Sequence, residues 1–218
     1  MVRRTKEEAQ ATRSLILDTA ELLFHEHGVS GTSLHDIAQA AGLTRGAIYW
    51  HFKDKADLFN AMMKRVTLPL EETAKCADDP ALADPVAYMM ANFVDALQMT
   101  ANNPQVRRVF EIATHKVEYV GELTAVRDRH LTTRDECLLH SERGIKLAMQ
   151  RGQLSRRIPA RAAALGVFAL IDGLIQNWML DPKAFDLVKV GKQVLDAYLA
   201  GLAVPKAAKP KPNLSFRS

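Results

Sequence analysis

Apolar positions along this chain recur every three to four residues and nowhere sustain strict alternation, so the pattern predicts helices and no strands. The first helix spans 5–27, with Ile16, Ala20, Leu23 and Phe24 on one face and Gly28 as its stop. Ser33-Leu34-His35-Asp36 has the form of a capping box that opens a short helix to Ala40. Gly42 ends it, and Thr44 caps a second short helix that runs through Phe52. Asp54 begins a fourth, with Asp57 favouring its positive end. Pro69 falls inside that helix, where a missing donor and a clash one turn back cost about 3 kcal/mol. A kink or restart is therefore expected near Thr67. After the loop ADDPALADP, helices are predicted over 86–100, 104–119, 122–153, 159–180 and 185–202. The fold class is all-α with nine helices, and the character changes near residue 60.

Composition changes this picture little. The most apolar segment, Ala160–Leu180, is interrupted by Arg161, Asp172, Gln176 and Asn177, so no membrane partner is expected. The opening MVRRTKEEAQATR lacks the apolar run of a secretion signal. Cys76 and Cys137 have no metal-ligand spacing, so neither a disulfide framework nor a metal is implied, and a reduced, cytoplasmic location is expected. The net charge of +4 is a poor guide to partners. Residues 1–60 carry seven Lys/Arg against eight Asp/Glu, whereas the tail 203–218 carries four Lys/Arg and no acid. That tail reads as a disordered basic end, either merely solvated or in contact with an anionic partner.

The chemistry is concentrated in the short helix pair. Residues 33–52 have the size and punctuation of a helix-turn-helix. Ala38 is small where the two axes cross, and Gly42 can take the left-handed conformation of the turn. Leu34, Ile37, Leu43, Ile48 and Phe52 form an apolar seam against the first helix, which turns Arg45, Gly46 and Tyr49 outward. That face suits a DNA major groove. Arg45 can fork onto a guanine edge, and Gly46 admits close backbone approach. Thr44 and the free N–H groups of the first turn can bind phosphate. Tyr49 and His51 bring donors to backbone distance, and Lys55 reaches a flanking phosphate. Trp50 fits the core and the interface equally well.

These residues carry a resemblance. The block TSLHDIAQAAGLTRGAIYWHFKDKADLF, 32–59, resembles the TetR family of bacterial transcriptional regulators. VRRTKEEAQATR, HKVEYVGE at 115–122, DGLIQNWML at 172–180 and the FDL that follows further resemble its AcrR and TtgR subgroup. The resemblance implies three N-terminal helices for double-stranded operator DNA and six for ligand binding and homodimerisation. On this chain the division is a helix-turn-helix domain at 1–55, a ligand-binding and dimerisation domain at 56–202, and the tail. It implies repression of multidrug efflux genes, relieved by small apolar or aromatic effectors, with no cofactor. Thr44, Arg45, Gly46, Tyr49, His51 and Lys55 match the DNA-contacting region, and Ser33 matches a phosphate contact.

The eighth helix is apolar almost all round and is expected to be buried, which makes Asp172 within it conspicuous. The residues alone leave two readings open: a structural partner such as Arg107 or Arg108, or a polar anchor on a ligand pocket. The resemblance favours the second, since Asp172 and Phe168 match pocket positions of the subgroup. Met89, Phe93, Phe110, Thr114, Cys137 and Ile175 are the remaining candidate lining, although Met and Phe at helical spacing also serve as plain core. Phe110 and Thr114 stand where the subgroup carries more polar groups, so a more aromatic pocket is expected. Dimerisation is expected through helices eight and nine, with Gly166, Gly173 and Gly201 allowing close approach and Trp178, Leu195, Tyr198 and Leu202 supplying area. A palindromic operator with half-sites about 34 Å apart, or a multiple, would follow. No HExxH, GxSxG or Gly-rich phosphate loop speaks for an enzyme. A purely structural helical module leaves the outward Arg45–Tyr49 face unexplained, and a regulator of lipid or other metabolic genes is the main alternative.

Overall fold

Side-chain caps open most of the helices. Thr5 and Glu8 exchange hydrogen bonds at the head of α1, Lys6–His27. Ser33 and Asp36 do the same for α2, Leu34–Ala40, and Thr44 accepts from the Ala47 amide to start α3, Arg45–His51. The computed structural model describes residues 5–74 and 79–204, the backbone alone over 68–74. Within them follow α4 Lys55–Ala74, α5 Pro85–Asn102, α6 Pro104–His115, α7 Thr124–Gln150, α8 Ala160–Leu180 and α9 Leu187–Leu202, with a 3-10 turn at Gly121–Leu123. Among the described residues there is no strand, only an isolated bridge between Leu154 and Ala203. Among the described residues the all-α, nine-helix architecture is as the pattern predicts. Cys76 and the tail beyond Val204 lie outside the described residues.

Three features differ from the pattern. The backbone of α4 is helical without a break through residue 69, so the restart expected near Thr67 does not occur. Helix α6 ends at His115 rather than near Tyr119. There the Lys116 carbonyl accepts from the Val29 amide at 2.9 Å, a tertiary bond that draws the chain out of the helix. The third difference is α8. Its inner face, Ala163, Ala164, Val167 and Trp178, is buried, yet Leu165 is 55% and Leu180 71% exposed. Length and composition would let this helix cross a membrane, contrary to the reading above; here it packs along α7 and α9.

The largest core is continuous across the expected domain boundary. Ile16, Ala20 and Phe24 of α1 pack with Ile37, Ile48, Phe52, Phe59 and Met62, and the same cluster continues into Val109 and Ile112 of α6 and Val126 of α7. The short helices thus fold on a platform shared with the larger half, as helices of seven residues must. A second cluster joins α5, α8 and α9 through Leu97, Val167, Trp178 and Leu195, and a third lies around Met89, Leu138 and Ala163.

Candidate nucleic-acid interface and effector region

Helix α3 is held from behind and bare in front. Ile48 and Phe52 are fully buried, the Phe52 ring lies 5.0 Å beneath the Arg13 guanidinium of α1, and Gly42 takes a φ of +67° in the turn. In front, Thr44, Arg45, Gly46, Tyr49 and Trp50 are exposed, Trp50 by 71%. The question left open for Trp50 is settled at the level of the protomer: it is not core. Its ring stands edge-on to His51 at 4.5 Å. Arg45 sits 5.6 Å from the centre of the Tyr49 ring one turn on, which preorganises its guanidinium at the front of the helix.

Gly46 is the telling residue. A Cβ built there meets no heavy atom within 4 Å, and its φ is not left-handed. Neither packing nor backbone geometry within the protomer calls for glycine, although glycine weakens a helix relative to alanine. Gly173 and Gly201 are likewise unobstructed, but Gly46 alone of the three stands on the exposed front of α3.

Three expected DNA contacts sit differently. Lys55 is only 9% exposed: its ammonium donates to the Val29 and Thr32 carbonyls at 3.0 and 3.2 Å and pairs with Glu122 at 2.9 Å. It braces the loop that leads into α2 and is not presented to a flanking phosphate. The Ser33 hydroxyl donates to Asp36 at 2.7 Å, and that bond, with the Ser33 amide, holds the Asp36 carboxyl below its ordinary range. His51 is half-buried with its Nε2 enclosed, so it is less available than Tyr49.

The candidate effector residues divide. Phe93 packs against both clusters of the larger half, while Phe110 joins the α1 core to the α8–α9 core, where Ile175 also lies. Met89 is buried beside them, and Phe168 and Cys137 are half-buried. Thr114 at the end of α6 is exposed. Asp172 is exposed as well and accepts from the Gln176 amide nitrogen at 2.5 Å, so it is not the buried carboxylate expected. Neither arginine proposed as its partner serves it. Arg108 pairs with Glu21 at 2.8 Å, and Arg107 lies 5.9 Å from the centre of the Trp178 ring. Phe168, Asp172 and Ile175 nevertheless share one face of α8, at i, i+4 and i+7. Two open clefts, about 430 Å³ between α1 and α2 and about 460 Å³ along α8 and α9, are lined by none of the candidates.

Known proteins decide the family. Residues 16–62 match the profile "Bacterial regulatory proteins, tetR family", and 84–204 match "MAATS-type transcriptional repressor, C-terminal region". The chain is 37% identical over 213 residues to the HTH-type transcriptional regulator TtgR of Pseudomonas putida, covering 96% of this chain and all of that one. The chain belongs to the TetR family. Among solved TetR-family structures it is similar to NalD, the secondary repressor of the MexAB-OprM multidrug efflux pump in Pseudomonas aeruginosa, with 35% identity, a TM-score of 0.83, and 91% of this chain and 98% of that one covered. A SmeT–triclosan complex matches at 31% identity and a TM-score of 0.82, covering 93% and 100%. As a TetR-family member it is a DNA-binding transcriptional regulator, a family whose members bind operators as dimers and respond to small molecules.

Two features of this TetR-family fold escaped the sequence reading. Glu21, 2% exposed, is shared by Arg65 of α4 and Arg108 of α6. A signal existed, since an acid four residues after Leu17 and three before Phe24 lies on the apolar stripe of α1. Arg151 gave none: at the end of α7 it donates to the Pro80, Leu82 and Ala83 carbonyls and fixes the loop before α5.

Proposed function

We propose that this TetR-family regulator represses a multidrug efflux operon as a cytoplasmic homodimer and lets go of its operator when an apolar or aromatic molecule binds the larger half. The observation that carries the reading is the bare α3 face, with a glycine at 46 that the protomer itself does not require. Thr44, Arg45, Gly46, Tyr49 and Trp50 enter the major groove, Arg45 reading a guanine edge. The efflux assignment is supported by similarity over nearly the whole chain to TtgR and to the pump repressor NalD, and the effector class by the triclosan complex of SmeT. Residues 1–55 form the reading head and 56–202 the effector and dimerisation half.

The effector site is assigned to Met89, Phe93, Phe110, Thr114, Cys137, Phe168, Asp172 and Ile175, on α5 to α8. Dimerisation uses α8 and α9, with Gly173 and Gly201 of the expected set still open, Leu202 half-buried, and others taken up inside the protomer. Trp178 and Leu195 are buried inside the protomer, and Gly166 is filled by its own Tyr198, whereas Leu165 and Leu180 are exposed. Burying them against a second copy offsets the cost of an apolar stripe in water. Deleting the gene in its host tests the reading. Transcripts of one efflux operon should rise several-fold, with resistance to its substrates rising alongside. A response confined to lipid-metabolism transcripts would contradict it.

A further inference from the structure

We infer that the end of the protein remote from α3 is a second docking surface for double-stranded DNA, indifferent to sequence. Arg156, Arg157 and Arg161 form it together with the lysines of the C-terminal tail. This surface is separate from the operator contact, and the placement of positive charge points to it. Residues 1–60, which include the reading helices, carry seven Lys/Arg against eight Asp/Glu. The stretch 151–161, RGQLSRRIPAR, carries four arginines and no acid, and the tail 203–218 carries four more cations and no acid. Distant in sequence, the two stretches adjoin in space. The Ser155 amide donates to the Leu202 carbonyl at 2.7 Å, the Val204 amide donates to the Gln153 carbonyl at 3.3 Å, and Leu154 bridges Ala203. The tail therefore sets out from the linker that holds Arg156 and Arg157.

That linker lies at the far end from the reading head. Helix α7 begins beside the head, where Glu122 pairs with Lys55 at 2.9 Å and Val126 joins the core of α1 and α2. Its 27 residues rise about 40 Å before the chain reaches Arg151. On a palindromic operator both reading heads of a dimer face one duplex. Both basic ends then face away from that duplex, on the same side of the dimer.

Part of this charge is engaged inside the protomer. Arg151 holds the Pro80, Leu82 and Ala83 carbonyls. Arg161 shares Glu142 with Lys146, at 3.3 and 2.7 Å, while its side chain stays 62% exposed. Arg156 and Arg157 differ: both are exposed, and among the described residues neither guanidinium makes a hydrogen bond or an ion pair. Adjacent like charges without an internal partner repel each other, and phosphate is an anion that the guanidinium fork fits. A row of phosphates matches a cationic strip that continues from a folded linker into a tail of lysines and prolines. A lipid surface would call for a broad apolar face alongside. Among the described residues of the linker and the chain beside it, Ile158 and Val204 are the large apolar side chains exposed. DNA is also the polymer on which the dimer already sits, which keeps neighbouring duplex at high effective concentration.

The test loads full-length protein onto beads carrying the duplex upstream of its own gene, washes them, and offers a fluorescent random duplex at about 0.1 M salt. Wild type should retain the random duplex well above beads that carry promoter DNA alone. Two full-length variants remove the proposed contacts: Arg156→Gln with Arg157→Gln, and Lys206→Gln with Lys209→Gln and Lys211→Gln. Each should cut retention by about fivefold or more, with loading on the promoter duplex within about twofold of wild type. The slope of log retention constant against log salt should fall by about 0.9 for each phosphate contact removed. Arg134→Gln, on the middle of α7, should change nothing. Retention that the two variants leave intact would overturn the inference, because α3 of exchanging dimers would then hold the second duplex. No retention by wild type would overturn it too, as would uptake of phosphatidylserine vesicles in place of duplex. If the promoter beads fail to hold the protein, the operator assignment fails and not this surface. Random duplex on the beads at lower salt then takes their place, with the same losses expected of the variants.

Discussion

Replacing Gly46 with alanine separates what the protein needs from what its ligand needs. Within the protomer the new methyl group meets nothing within 4 Å, and the backbone there is helical and unstrained. Alanine exceeds glycine in helix propensity by about 1 kcal/mol in an interior position. At the second residue of a seven-residue helix, roughly half of that is a fair expectation. For a domain of this size, such a gain raises Tm by about 1–2 °C. The same methyl group would stand between α3 and a groove in which the backbone approaches closely. Displacing the helix by even part of a methyl diameter lengthens the forked Arg45 contact, a bidentate pair worth roughly 1–3 kcal/mol. Scanning fluorimetry and fluorescence anisotropy on the promoter duplex should therefore move in opposite directions, with Tm up and specific affinity down by about tenfold or more. Higher Tm with unchanged affinity would refute the argument, because position 46 would then be tolerant of bulk and would not mark the DNA-facing side.

Other substitutions follow the same geometry. Arg45→Ala should cost roughly 1–3 kcal/mol of specific binding, read by anisotropy, and much less on a random duplex. Lys55→Met should lower stability by about 2–3 kcal/mol in urea melts, since it strands two carbonyls that a charged donor now satisfies. It should leave the slope of log K against log salt unchanged, whereas loss of a phosphate contact would reduce that slope by about 0.9. Asp84 caps α5, and the Ala87 amide, then the Gln153 side chain, hold its carboxyl below the ordinary range. A depressed folded-state pKa gives stability that is present above about pH 4 and lost as pH falls through the folded value. Tm followed from pH 6 to pH 3 should accordingly fall less steeply for Asp84→Asn than for wild type.

Much of the fold was legible because it is set locally. Ser33, Thr44 and Gly42 announce caps and a turn through their own neighbours, and Ile48 and Phe52 face inward by spacing alone. The failures are tertiary. Lys55 opens a helix, where a lysine ordinarily faces water, and only the folded 28–32 loop turns two carbonyls toward it. Helix α6 stops early because Val29, 87 residues upstream, claims the Lys116 carbonyl. An apolar circumference on α8 says that the helix is covered, but periodicity cannot say whether its own chain or a second copy covers it. Asp172 was expected to be buried for that reason, whereas the protomer leaves it exposed. Of the candidate effector residues, Phe168 and Asp172 were placed by resemblance and the other six by their helix positions alone, a weak guide because Phe and Met at helical spacing look alike whether they line a pocket or fill a core.

The most direct measurement is fluorescence anisotropy of the purified protein on the duplex upstream of its own gene, against excess random DNA, with triclosan then titrated into the complex. The account predicts preference for the promoter duplex and progressive release as triclosan binds. No preference over random DNA, or a complex indifferent to triclosan and to every other apolar aromatic tried, would contradict it.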